Sequence, residues 1–131
     1  MQAQAMYTEK LLLEVQVKRV GWRAVSPSTA RGRSGTQHQF SFLASSGDLM
    51  YGFDVCEEVS EVEVLRSYIK GYDTGVAVQL VSREGRTNPV ASKLLREYGM
   101  RVLTEADIVP FFDELLLKKD VDATSKMSLT A

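Results

Sequence analysis

The feature that most constrains this chain is an alternation of polar and apolar residues on either side of a short turn. In Gln37-His-Gln-Phe-Ser-Phe-Leu-Ala44 the spacing places Phe40 and Phe42 on one face, the pattern of a half-buried strand. Ser45-Ser-Gly-Asp48 is a turn by composition, and Leu49-Met-Tyr-Gly-Phe-Asp-Val-Cys56 is a second run with Phe53 and Val55 on a shared face. Two such runs joined so closely predict an antiparallel β-hairpin from Gln37 to Glu57. A hairpin with an apolar face must be covered by the rest of the chain.

The flanking segments supply that cover. Tyr7 to Val20 reads as a helix, with Leu11, Leu12 and Val15, and Leu13, Val17 and Val20, recurring at three- and four-residue spacing; Gly21 ends it. Trp22 and Val25 continue as a short extended piece, and Ser26 to Gly35 is a loop by composition. Ser60 and Glu63 form a capping-box pattern that opens a second helix, expected to turn Val62, Leu65, Tyr68, Ile69 and Tyr72 inward and to end near Gly75. Val76 to Ser82 is a β-branched run read as a buried strand. Asn88 caps a third helix with Pro89 at its first position, and Gly99 stops it. Met100 to Leu103 is a short strand. Thr104 opens a last helical segment, which Pro110 is expected to split before a C-terminal helix through Lys119.

The last two βα units imply parallel pairing through right-handed crossovers. The expectation is therefore an α/β fold: a mixed central sheet with an N-terminal helix, an antiparallel β-hairpin and following βα units, helices covering both faces. A chain of 131 residues favours one domain, expected over 8–119, with a flexible start at 1–7 and a disordered tail at 120–131.

Composition excludes several function classes. One cysteine, Cys56, rules out an internal disulfide or a cysteine-rich zinc site, and one histidine, His38, rules out a His-rich metal site. No apolar run approaches the roughly 20 residues that span a bilayer. The first residues lack the blocks of a signal peptide, so the expectation is a cytoplasmic protein without a membrane partner. The net charge of −1 argues against electrostatic nucleic-acid binding by the molecule as a whole. The charges are segregated, however. No acid occurs between Glu14 and Asp48, where Lys18, Arg19, Arg23, Arg31 and Arg33 stand; Asp54, Glu57, Glu58, Glu61 and Glu63 follow. This pattern reads either as two solvated faces or as a phosphate-contacting edge beside a carboxylate site.

The individual candidates each have a plain reading beside the functional one. Asp54 lies in a strand rich in apolar residues, where a carboxylate costs stability unless paired; alternatively, parity puts it on a solvent face opposite Phe53 and Val55. Cys56 shares its face and reads as a small packing residue; a Cys–His hydrolase would need His38 beside it. His38 alone reads as a structural histidine, Glu57 as a solvated strand end, and Lys70 as a snorkelling helix residue. The Arg31-Gly-Arg-Ser-Gly35 loop can approach phosphate, but it lacks P-loop spacing and its lysine. The segment from Ile108 to Leu117 carries more apolar residues than one narrow stripe needs, so it either docks on the core or forms a homodimer face.

Several segments together carry a resemblance: Val20-Gly-Trp-Arg-Ala-Val25, Gly32-Arg-Ser-Gly-Thr-Gln-His-Gln-Phe40, Leu49 to Glu57, and the Leu-Leu-Arg-Glu-Tyr-Gly-Met-Arg-Val-Leu run within Ala91 to Leu103. In this order, over residues 8–108, they resemble the restriction-endonuclease-like superfamily, and within it the Mrr-like branch. The resemblance implies a carboxylate at the start of the first hairpin strand and an acid-x-Lys on the second, which hold Mg²⁺ beside a scissile phosphate. Here His38 stands near the first aspartate, and Asp54-Val55-Cys56 stands near the acid-x-Lys with cysteine in place of lysine. The resemblance implies Glu14 as the helix glutamate, Glu57 as a substitute metal ligand with Asp54, and Lys70 and Asp73 as a migrated lysine and acid. Arg23, Arg31 and Arg33 become phosphate contacts. The expected function is a nucleic-acid-associated, catalytically degenerate domain that contacts DNA. Its alternatives are an active Mg²⁺-dependent DNA endonuclease and a protein-interaction or assembly module.

Overall fold

The computed structural model describes the backbone of residues 2–130 and the side chains of residues 8–117. In chain order the elements are α1 (Gln2–Arg19), β1 (Arg23–Ala24), β2 (Thr29–Arg31), β3 (Gln37–Gln39), β4 (Phe42–Ser46), β5 (Leu49–Val55), α2 (Glu61–Thr74), β6 (Ala77–Val81), α3 (Pro89–Glu97), β7 (Val102–Leu103) and α4 (Glu105–Thr130). Five strands form a mixed sheet in the order β1-β4-β5-β6-β7. β1, β4 and β5 are antiparallel, and β5, β6 and β7 are parallel. The fold is α/β, with the N-terminal helix, the hairpin and the βα units that the sequence predicts.

Side-chain parity along β5 separates two faces. Tyr51, Phe53 and Val55 face α1 and α4 in a core with Leu13, Val17, Ile108, Phe111 and Phe112. Phe53 stacks on Phe112 at 5.9 Å and meets Phe111 edge-on at 6.0 Å. The opposite face is covered by α2 and α3, with Val59, Val64, Leu80, Ala91 and Leu95 forming a second cluster. Phe40, Leu43 and Val76 form a third.

Local signals account for most element ends. α1 closes with Trp22 N–H donating to Val17 C=O and Gly21 N–H to Lys18 C=O, the paired bonds of a Schellman motif. Ser60 Oγ accepts from Glu63 N–H at the start of α2, and Asn88 Oδ1 accepts from Ala91 N–H at the start of α3, at 2.7 Å. The buried stripe of α1 is Glu9, Leu13, Gln16 and Val17, continued by Val20 just beyond it; Leu11 and Val15 are exposed.

Three sequence expectations are corrected. The run from Gln37 to Ala44 is two strands. β3 turns back to pair with β2, and only β4 enters the main sheet, because Phe40 N–H is taken by Ser28 C=O and the Phe40 ring sinks into the third cluster. Pro110 does not split the last helix: α4 runs through it, held at its start by Thr104 and Asp107 and beyond it by buried Phe111 and Phe112. Those rings belong to the core of the chain itself, so of this segment Val109 and Leu117 are the large apolar residues left exposed for a homodimer face.

Third, α2 turns a different face inward from the one expected. Val62, Leu65, Tyr68, Ile69 and Tyr72 are all exposed, Tyr72 at 80%. The inward face carries Val64, Ser67 and Gly71, with Lys70 beside them. Small side chains let α2 lie close on β6. The polar ones meet Asp54, which by parity faces α2 rather than solvent. The expectations for 1–7 and 120–131 fall on residues whose side chains lie outside the described set. Among the described residues, no helix is long and apolar enough to cross a membrane.

Candidate functional site

β5 delivers Asp54 to the sheet face beneath α2, where it is buried. Lys70 descends from α2, and its Nζ donates to both Asp54 oxygens at 3.0 Å and to Gln39 C=O at 2.7 Å. Ser67 Oγ donates to Asp54 Oδ2 at 2.7 Å. A buried carboxylate is tolerable only when its charge and lone pairs are met, and these contacts meet them. The Lys70 ammonium also lies 5.1 Å from the centre of the Phe40 ring. That ring needs Gly52 beneath it, because a Cβ there would stand 2.6 Å from a Phe40 ring carbon.

A second cluster adjoins the first. Asp73, at the end of α2, accepts from Ser34 Oγ at 2.6 Å and from Ser34 N–H at 2.9 Å, and its Oδ2 lies 2.8 Å from His38 Nε2. These contacts hold the Asp73 carboxyl down at about 2, the Ser34 hydroxyl contributing most, then His38 and the Ser34 amide. Gly32 is what lets the β2–β3 loop close over Asp73, since any Cβ there would collide with the carboxylate. His38 is therefore a partner of Asp73, not of Cys56. Burial pushes the Cys56 thiol up to about 12, helped by Glu63 and Asp54, which leaves it protonated and weakly nucleophilic.

Both clusters border one open groove of about 840 Å³. Its lining includes His38, Asp54 and Lys70 from the sequence candidates, with Lys10, Glu63 and Arg66 added by the fold. Arg31 and Arg33 are exposed at the end of β2 and in the adjoining loop, and Arg33 N–H donates to Asp73 C=O. The remaining candidates stand apart from the groove lining. Glu14 pairs with Lys18 on the surface of α1 at 3.5 Å. Glu57 is exposed beyond β5, and its carbonyl accepts from Ser82. Arg23 lies in β1, at the edge of the sheet.

The register also relocates the position opposite Asp54. Phe42 pairs with Phe53, so Ser41 precedes β4 across from Asp54, and Ser41 Oγ accepts from Val55 N–H. Where the resemblance implies a first acid, the fold places a serine, and His38 belongs to the separate β2–β3 ribbon. Among the described residues no three His, Cys, Asp or Glu side chains gather to hold a metal ion. With one carboxylate engaged by Lys70 and Ser67, these residues do not fit a two-acid Mg²⁺ site. Lys10, Arg66 and Ser67 went unrecognised in the sequence. Ser67 and Lys70, three apart on one helix face, are the signal that points to a buried acid beneath.

No family model matches the chain, and no curated protein matches it. Its fold is similar to the crystal structure of a protein of unknown function, AF1548, with a TM-score of 0.57 and 11% identity over 76% of this chain. The chain spans 58% of the length of that protein. The likeness is one of fold.

Proposed function

We propose that this chain is a nucleic-acid-associated domain on a restriction-endonuclease-like scaffold that binds the phosphate backbone without cutting it. The observation that carries this reading is the Asp54–Lys70 pair on the wall of an open groove. An acid on β5 and a lysine supplied by α2 converge there, and the ammonium occupies both carboxylate oxygens. Neutralised in this way, Asp54 does not repel phosphate, while Lys10 and Arg66 on the groove and Arg31 and Arg33 beside it supply cationic contacts.

Fluorescence anisotropy with labelled duplex and single-stranded DNA, titrated with salt, tests the reading. Binding should weaken steeply with salt, and Lys10→Ala with Arg66→Ala should reduce the salt slope by about one for each phosphate no longer neutralised. Binding that is absent or independent of salt overturns it. Cleavage of plasmid DNA with Mg²⁺ or Mn²⁺ that Asp54→Asn abolishes would instead establish an active endonuclease.

A second reading, a protein-assembly module, is favoured by the outward ridge of α2. Val62, Leu65, Ile69 and Tyr72 recur at three- and four-residue spacing and all are exposed, a pattern that usually marks a contact surface. Sedimentation equilibrium of wild type and Ile69→Lys tests it, self-association abolished in the variant being the supporting result.

A further inference from the structure

On the flank of α2 away from the groove, three tyrosine rings form a continuous ladder. Tyr98, just after α3, stacks on Tyr68 with ring centres 4.3 Å apart and planes 17° from parallel. Tyr68 in turn lies 6.4 Å from Tyr72 at 24°. The series runs outward from half-buried Tyr98 through Tyr68, 40% exposed, to Tyr72, 80% exposed. Beside the last two rings is a hollow of about 200 Å³, bounded also by Gly71, Val78 and Met100.

Core aromatic rings in this protein meet mainly edge-on or tilted, as at Phe53–Phe111 and Trp22–Phe112. The tyrosine planes are nearly parallel, and the outermost ring adds little to the core. A near-parallel ladder ending in an exposed ring suits a planar aromatic occupant more than an aliphatic one. Cationic groups lie on both sides: Arg66 on the groove flank of α2, and exposed Arg96 two residues before Tyr98. Exposed Glu97 adjoins Tyr98 and opposes them. One helix width, roughly 10–12 Å with side chains, separates the groove from the ladder, a span that a few nucleotides can cross.

We infer that the tyrosine ladder is a stacking platform for unpaired nucleobases, so that the nucleic acid bound by this domain is single-stranded, its backbone leaving the groove and its bases stacking outward from Tyr72, the exposed end of the ladder. This inference rests on the nucleic-acid reading and specifies its substrate class. Paired bases keep their faces stacked on each other and present none to Tyr72.

The test compares a fluorescein-labelled oligothymidylate with a hairpin duplex of equal nucleotide count, using the full chain. The single strand should bind more tightly. Tyr72→Ala, at a site too exposed to unfold the protein, should weaken single-strand binding at least roughly fivefold and leave the salt slope unchanged, because stacking releases no counterions. Tyr72→Phe should retain binding. Equal affinity for duplex, or single-strand binding indifferent to Tyr72→Ala, overturns the inference and leaves the nucleic-acid reading intact. Absence of binding to either probe overturns both. Self-association abolished by Tyr72→Ala, with oligonucleotide affinity unchanged, assigns the ladder to a second copy of the chain and likewise overturns it.

Discussion

Lys70 on α2 places its Nζ 3.0 Å from each carboxylate oxygen of Asp54 on β5, joining residues sixteen positions apart beneath a helix. Both side chains are almost wholly shielded, so each depends on the other for its charge to be tolerated. Lys70→Met should therefore destabilise the protein by about 3 kcal/mol, because it leaves a buried carboxylate that keeps the Ser67 hydroxyl but loses its counter-charge. Adding Asp54→Asn should recover about 1 kcal/mol or more, since the neutral amide can still accept from Ser67. Urea unfolding followed by Trp22, the single tryptophan, measures both; a double mutant no better than Lys70→Met would contradict the pairing.

The clasp around Asp73 makes a signed prediction about acid. Its folded carboxyl sits at about 2, below the ordinary value of 3.8, so its contribution to stability is present above 3.8 and is lost as pH falls through about 2. Asp73→Asn should flatten the melting-temperature profile over that acid window and change its shape little near neutrality. An unchanged acid limb would show that the clasp does not form in solution.

Gly32→Ala should mimic Asp73→Asn. The added methyl has no room beside the carboxylate, so either the loop lifts or the Asp73 side chain swings away, and in both cases Ser34 releases Asp73. Proton NMR of the Ser34 amide is the direct readout: its shift should move toward that of an unbonded amide.

Glu9 behaves in the opposite sense. It is 1% exposed, and among the described residues its Oε1 has no hydrogen-bond partner. Burial raises its pKa above 4.5; its own backbone N–H opposes this, Glu105 adds to it and Arg83 offsets part. The folded state favours the protonated acid, so this stabilising contribution is present below 4.5 and is lost as pH rises through the folded value. Glu9→Gln should therefore raise the melting temperature at about pH 8 and do little at about pH 4. Equal melting curves at the higher pH would refute a net burial penalty on this carboxylate.

The orientation of α2 can be checked by a contrast within one helix. Val64→Ala should cost about 2 kcal/mol, because it empties part of the second cluster. Ile69→Ser should fall within about 0.5 kcal/mol of wild type, since that side chain is 56% exposed. The reverse ranking would restore the inward ridge that the sequence predicts.

Much of the architecture was legible because it is written in short-range patterns. Ser60 and Asn88 cap their helices through the amides of Glu63 and Ala91, and Gly21 follows the last turn of α1; each signal acts within a few residues. The parity of β5 was equally readable, with Asp54 opposite to Phe53 and Val55. The site was only partly legible. Asp54, His38 and Lys70 do border one groove, but Glu14 and Glu57 do not, and nothing local distinguishes Glu14 from the buried Glu9 five residues earlier.

The sequence by itself determined most of the helices and main-sheet strands, the caps of α2 and α3, and which residues of β5 share a face, because hydrogen-bond spacing and side-chain periodicity are local; it did not show β2 within 26–35 or that α4 runs unbroken through Pro110. It also carried the hairpin, though not the break at Phe40 that gives its first half to β2. Only the tertiary structure decided which face of α2 turns inward. Periodicity marks an apolar stripe but does not say what lies beneath it. The sheet offered α2 a carboxylate and a close approach, which Ser67, Lys70 and Gly71 satisfy and Leu65, Ile69 and Tyr72 do not. Pairing one buried charge and packing α2 closely on β6 thus left an apolar ridge and a tyrosine ladder at the surface.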